Sequence, residues 1–159
     1  TPKAMRKLLL LVCALISLVA CNQQQVYSEF HSVEQTGWHI DSLVKYTVDI
    51  SDSTARYELV ITLRHTTQYP YQNIWLFVDK SFGNTLLQRD TIEGMMADNY
   101  GRWLGKGITR YTLPLLYDDA CWFPCSGEYT FSIQQGMRTE CLQGISDVGL
   151  QVVKYNGKE

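Results

Sequence analysis

Residues 44–63 read VKYTVDISDSTARYELVITL. Val44, Tyr46, Val48 and Ile50 alternate with Lys45, Thr47 and Asp49; Tyr57, Leu59, Ile61 and Leu63 alternate with Glu58, Thr62 and Arg64. Period two is the signature of a strand with one wet face and one dry face. Asp52-Ser53 punctuates the stretch, and the two runs together predict an antiparallel hairpin. This pattern sets the fold class as all-β, because every later segment repeats it.

Outward from the hairpin, Tyr69-Pro70-Tyr71-Gln72-Asn73 reads as a turn or edge, since Pro70 cannot donate to a ladder. Ile74-Trp75-Leu76-Phe77-Val78 is apolar on both faces and reads as a central strand. Phe82 to Thr85 turns the chain and Leu86 to Glu93 forms a weaker strand. Asp98 to Gly107 carries Gly101, Gly105 and Gly107 and reads as a loop. Strands follow at 108–115, around Tyr129-Phe131-Ile133 and around Leu150-Val152, with a helical turn as the only departure, at 137–146. Seven to eight strands separated by turns, with no long helical pattern, predict an antiparallel β-sandwich, with a closed barrel as the alternative. Tyr46, Val48, Leu59, Ile61, Leu76, Phe131 and Ile133 are its expected core.

The N-terminus is of a different kind. Arg6 and Lys7 precede LLLLVCALISLVA over residues 8–20, which ends in a small residue before Cys21. That is the layout of a secretory signal, with Met5 as its start. It is too short to span a bilayer comfortably, which takes about 20 apolar residues. Leu18-Val19-Ala20-Cys21 resembles a bacterial lipobox, which implies cleavage before Cys21 and its lipidation. Residues 1–20 are then signal peptide, 21–28 a lipidated tether, and 29–159 a single sandwich domain. Loss of residues 1–20, with Lys3, Arg6 and Lys7 and no acid, moves the net charge from −2 to −5. An acidic body of this kind does not suit nucleic acid or electrostatic docking on anionic lipid. The membrane partner is reached through the acyl chains instead.

Export also bears on the cysteines. Cys121, Cys125 and Cys141 remain after Cys21, and an odd number in an oxidising compartment predicts one disulfide and one free thiol. Three pairings are open. Cys121–Cys125 is favoured because Trp122-Phe123-Pro124 can turn the chain back between them. No histidine stands near enough in sequence to complete a zinc site with them. Neither a metal nor another cofactor is expected.

Several motifs occur in order along the chain: Tyr69-Pro70-Tyr71-Gln72-Asn73-Ile74, Asp90-Thr91, Trp103-Leu104-Gly105-Lys106-Gly107, Gly127-x-Tyr129-Thr130-Phe131, Gln135-Gly136-Met137-Arg138 and Leu142-x-Gly144-Ile145-x-Asp147-Val148-Gly149. Following a lipobox, the set resembles the gliding-motility lipoprotein GldH family of the Bacteroidetes, from about Tyr27 to Lys154. The resemblance implies a cell-envelope lipoprotein needed for gliding, whose machinery is intertwined with type IX secretion. It implies protein partners of that apparatus and no enzymatic activity. Surface-exported lipoproteins of that phylum often carry acids just after the lipidated cysteine. Asn22-Gln23-Gln24-Gln25 has none, which implies a periplasm-facing protein on the outer membrane.

The residues themselves offer little catalysis. His31, His39 and His65 are scattered and read as surface or cap residues, and no serine stands in a G-x-S-x-G elbow. Alternation puts Asp90 and Glu93 on opposite strand faces, so they make no acid/base pair. Asp52, Asp118 and Asp119 stand at strand ends, where carboxylates cap turns. Aromatic and basic residues on punctuated loops are the better candidates: Tyr69, Tyr71 and Asn73 on one, Tyr100, Arg102, Trp103 and Lys106 on another. Aromatics and Arg dominate interface energetics, so a protein partner is the first reading. A glycan stacked on the loop aromatics is the second. The structural alternative is that Trp103 and Trp122 plug the open ends of the sandwich.

Overall fold

The computed structural model describes residues 25–155. Among them are eleven strands: β1 Gln25–Ser32, β2 Trp38–His39, β3 Val44–Ile50, β4 Tyr57–Thr66, β5 Asn73–Phe82, β6 Thr85–Met95, β7 Lys106–Gly107, β8 Arg110–Cys121, β9 Gly127–Gln135, β10 Cys141–Leu142 and β11 Ile145–Lys154. One sheet has the order β1-β11-β4-β8-β7 and a second the order β3-β9-β5-β6, with β10 and β2 as a short ribbon. Every pairing is antiparallel. The core lies between the inner faces of the two sheets. Tyr46, Val48, Ile74, Leu76, Val78, Phe131 and Ile133 meet Leu59, Ile61, Leu63, Val148, Leu150 and Val152, all fully buried. The antiparallel sandwich read from alternation is therefore the fold, and all seven expected core residues lie in it. The strand count is higher than seven to eight because β2, β7 and β10 have two residues each. Two residues carry no periodicity to read.

The decisive stretch is read correctly by face and wrongly by partner. β3 pairs with β9, whereas β4 pairs with β11 and β8, so residues 44–63 form no hairpin. The chain arches from one sheet to the other. Both strands turn their apolar sets inward, but from opposite sides of the core. Alternation reports the buried face and is silent on the neighbour. The connection, residues 51–56, is longer than the two-residue loops hairpins favour, and sheets pack about 10 Å apart. Asp52 builds the arch: Thr54 N donates to its Oδ1 at 3.0 Å and the Tyr57 hydroxyl to its carbonyl at 2.7 Å. Lys154 Nζ reaches its Oδ2 at 2.6 Å, tying the arch to the end of β11.

Three further expectations change. β5 is interior to its sheet, between β9 and β6, but its outer face is open, and Trp75 and Phe77 are each 39% exposed. The last part of the tether expected over residues 21–28 belongs to β1, which pairs along β11 from Gln25↔Val153 to Ser32↔Asp147. This polar edge strand is held by its ladder rather than by an apolar face, so it has no hydrophobic signature. Residues 137–146 contain no helical turn; Cys141 and Leu142 pair with His39 and Trp38.

Candidate functional site

The two loops singled out from the sequence meet at one end of the sandwich. β4 delivers His65 and Thr66 to this end, and Tyr69 N donates to Thr66 O at 3.2 Å as the chain turns. Thr66 N in turn donates to Gly144 O at 2.8 Å. Gly144 has φ +85°, and a Cβ there would collide with the Tyr69 backbone, so this crossing requires glycine. The Tyr69 hydroxyl donates to Asn73 O at 2.7 Å, closing the turn on itself.

The second loop is organised by Asp98. Its Oδ1 accepts from Arg102 N at 3.0 Å and Tyr100 N at 2.9 Å, and its Oδ2 from Arg102 Nε at 2.7 Å. These donors, the Arg102 amide first, hold the carboxyl below the usual carboxylate range. The loops are joined through Gln72. Its carbonyl accepts from Met96 N at 2.8 Å and Ala97 N at 3.1 Å, while its Nε2 donates to Asp98 O at 2.7 Å. Between them lies a shallow cleft of about 280 Å³, lined by Tyr69, Tyr71, Gln72, Asp98 and Trp103 among others.

Beneath the cleft is an aromatic cluster that includes a histidine the sequence reading put at the surface. His65 is fully buried. Trp103 meets its ring edge-on at 4.7 Å and Tyr111 stacks on it at 5.4 Å. Its Nδ1 donates to Thr66 O at 3.2 Å, and Nε2 has no partner among the described residues. Burial pulls the imidazole below its ordinary value, the Thr66 carbonyl only partly opposing. A signal for this was present: His65 continues the inward series Tyr57, Leu59, Ile61, Leu63 at the same spacing.

The candidates divide accordingly. Tyr69 is buried and Trp103 packs against the core, so both support the end rather than present it. Tyr71 lies edge-on to Tyr69 at 5.9 Å with its ring partly open. Tyr100 is 86% exposed and lies under the Arg102 guanidinium at 5.3 Å. Asn73 is half-buried, its Nδ2 donating to Glu93 Oε1 at 2.6 Å. Lys106 does not join them. It stands on β7 and lines a different groove of about 630 Å³ on the outer face of the five-stranded sheet, beside Phe30, Leu104 and Pro114. Phe30 covers Gly149 there, where a Cβ would approach its ring to 2.6 Å.

Trp122 does not plug the opposite end; it is half-exposed, and its neighbour Phe123 is the buried plug. Phe123 packs edge-on against Tyr57 at 5.4 Å and Tyr129 at 4.6 Å. The pairing expected between Cys121 and Cys125 differs from the structure, where Cys121, Cys125 and Cys141 are free thiols. Cys121 is buried beside Lys80 Nζ at 3.7 Å, and Cys125 Sγ lies against the Tyr129 hydroxyl at 3.5 Å. Phe123, two residues after Cys121, closes this end with its ring. Burial pushes the Cys121 thiol up to about 11. Among the described residues, no three His, Cys, Asp or Glu side chains gather as metal ligands. The lipidation expected at Cys21 lies outside the described residues.

This geometry defines a small all-β sandwich that presents aromatic loops at one end. The description "GldH lipoprotein" fits residues 25–152, nearly all of the described chain. The "Gliding motility lipoprotein GldH homolog" of Christiangramia forsetii is 35% identical over 151 residues, covering 90% of this chain and 92% of its own. The "Gliding motility lipoprotein GldH" of Flavobacterium johnsoniae is 33% identical over 152 residues, covering 90% and 93%. The chain belongs to the GldH lipoprotein family. Among solved structures, the infectious bursal disease virus VP2 subviral particle covers 82% of this chain and 30% of its own at 13% identity, with a TM-score of 0.36, too low to define a shared fold.

Proposed function

We propose that the protein is a non-catalytic lipoprotein of the cell envelope, anchored through Cys21, that works in gliding motility by holding protein partners. Its family membership supports the role. The observation that carries the mode of action is the placement of the two ends. β1 begins at Gln25, opposite Val153, so a lipid on Cys21 is four residues from the sheet, a reach of at most about 14 Å. β4 runs from Tyr57, near that start, to Thr66 at the aromatic loops. Ten residues of strand separate the ends by roughly 30 Å. The exposed Tyr71, Tyr100 and Arg102 therefore face away from the anchored end. Gln72 and Asp98 hold both loops as one rigid surface, so little ordering cost is left for binding. The partners are envelope components of the gliding and type IX secretion apparatus, and the protein faces the periplasm from the outer membrane.

A pulldown of the full chain from solubilised envelope, read by mass spectrometry, tests this. Enrichment of motility or secretion components supports the reading, and their absence from the recovered set rejects it. Protease treatment of intact cells should spare the protein; ready degradation would reject the periplasmic placement. The cleft beside Tyr71 and Trp103 favours one second reading, a glycan stacked on the loop aromatics. A glycan-array signal lost on Tyr71→Ala would favour it over a protein partner.

A further inference from the structure

The four-stranded sheet ends in an unusually long open edge. β6 has eleven residues and pairs only with β5. On its other side, no backbone group from Thr85 to Met95 has a backbone partner among the described residues. Such an edge is a template for another strand. β6 is interrupted by a bulge near Leu87, and the regular stretch is Gln88 to Met95. Along it Arg89, Thr91 and Glu93 are exposed on the outer face, while Asp90, Ile92 and Gly94 are more buried.

That outer row is self-complementary. A second copy pairing antiparallel, with the same face outward, sets each residue opposite one on the same face. Centred on Arg89, Asp90 or Glu93, the pairing places like charges directly opposite. Centred on Ile92, it sets Thr91 against Glu93. Centred on Thr91, it sets Arg89 against Glu93 of the second copy twice over, by symmetry, with Thr91 against Thr91 on the axis. Gln88 falls opposite Gly94 at both flanks, where the regular stretch ends. Opposite-charge and Thr–Thr pairs stabilise cross-strand contacts. Both charged groups also bond toward β5, and each keeps one terminal atom for a partner across the edge. Arg89 is held by Asp79 through Nε and Nη2 at 2.7 Å each, which leaves Nη1 free. Glu93 accepts from Asn73 on Oε1, which leaves Oε2 free.

We propose that β6 is a homodimer interface, in which two copies join edge to edge about Thr91 into one eight-stranded sheet. The pairing is closed by its two-fold axis, so it covers the edge without propagating. Anchoring both copies in one membrane would raise their effective concentration. The seam carries Trp75 and Phe77 of both copies on its outer face, opposite Glu93 and Thr91 in the ladder.

The test is cross-linking of the full chain in its own envelope. Thr91→Cys should form a disulfide-linked dimer on a non-reducing gel, well above the unsubstituted chain and above Thr85→Cys, which lies off the axis. Added to Thr91→Cys, Arg89→Glu or Glu93→Arg should each cut that product about tenfold, because two attractive contacts become repulsive. Co-expressing the two reversed chains should restore it as a heterodimer, since their charges are complementary. Circular dichroism of each purified variant checks folding, and Arg89→Gln replaces Arg89→Glu if the latter does not fold. Cross-linking of Thr91→Cys no greater than that of Thr85→Cys overturns the proposal. So does a product insensitive to the charge reversals, or one not restored by co-expression of folded chains.

Discussion

The two ends of the sandwich are closed by different chemistry. At the end near Gln25, Phe123 is fully buried against Tyr57 and Tyr129, and Asp52 clamps the arch to Lys154. At the other, Trp103 covers a buried histidine and carries exposed tyrosines above it. The first end is ordinary core extended to the rim. The first end also exposes Trp122, but the second alone combines an unpartnered buried nitrogen with two exposed tyrosines and a guanidinium. The proposed binding at the second end would account for that combination, because exposed aromatics on a rigid support suit recognition.

The comparison breaks first on stability. Phe123→Ala should cost about 3–5 kcal/mol, the range for removing a buried aromatic ring. Against a typical total of 5–15 kcal/mol, that is a large loss. Trp103→Ala should cost less, roughly 2 kcal/mol, because its ring is partly open and only part of its packing is lost. Urea unfolding of the two variants side by side measures the ratio. Equal losses would mean that Trp103 is as much a plug as Phe123, and the aromatic end would lose its claim to be a presented surface.

The next effect depends on pH. Burial lowers the His65 value in the folded state, so the unfolded chain takes up a proton first as pH falls. Stability should therefore be complete above the unfolded value of about 6.5 and decline as pH drops below it. His65→Leu should flatten that decline and remove the unpartnered nitrogen. The lowered carboxyls of Asp79 and Asp98 act in a separate window: their contribution is present above the ordinary carboxylate value and lost only as pH falls below it. Thermal melts of both chains between pH 7 and 5 separate the two. Parallel curves would show that His65 takes its proton without opening the cluster.

What alternation could and could not convey follows from its physics. It marks which face of a strand is dry, so Tyr46, Leu59, Phe131 and Ile133 were readable as core. It says nothing of which strand lies alongside, so the arch between β3 and β4 looked like a hairpin. β1 was unreadable because a polar edge strand is held by backbone bonds that no side-chain pattern records. Trp122 and Phe123 are adjacent aromatics in a loop, where no period decides which one turns inward. The two candidate loops were legible from their aromatics and glycines, and their meeting was not. That depends on Gln72 bridging to Met96, Ala97 and Asp98, a contact between positions with no shared periodicity. Lys106 is close to Trp103 in the chain, but the intervening residues carry it to another face.

The smallest effect on stability is the most informative about function. Tyr100 projects almost wholly into solvent, and its ring contact is the Arg102 guanidinium. Exposed side chains clear of core and caps usually contribute little to folding. Asp98, not Arg102, gives the loop its backbone bonds, because the Tyr100 and Arg102 amides donate to it whatever side chains they bear. Tyr100→Ala combined with Arg102→Ala should therefore leave the melting temperature unchanged. The same chain should recover less of its envelope partners, because the exposed aromatic and cation are gone while their support remains. Asp98→Ala is the matched control: it should lower both melting and recovery by releasing the loop itself. If the Tyr100 and Arg102 pair leaves recovery intact while Asp98→Ala abolishes it, the backbone of the loop is what partners read. The aromatic end would then act by shape rather than through the side chains it presents.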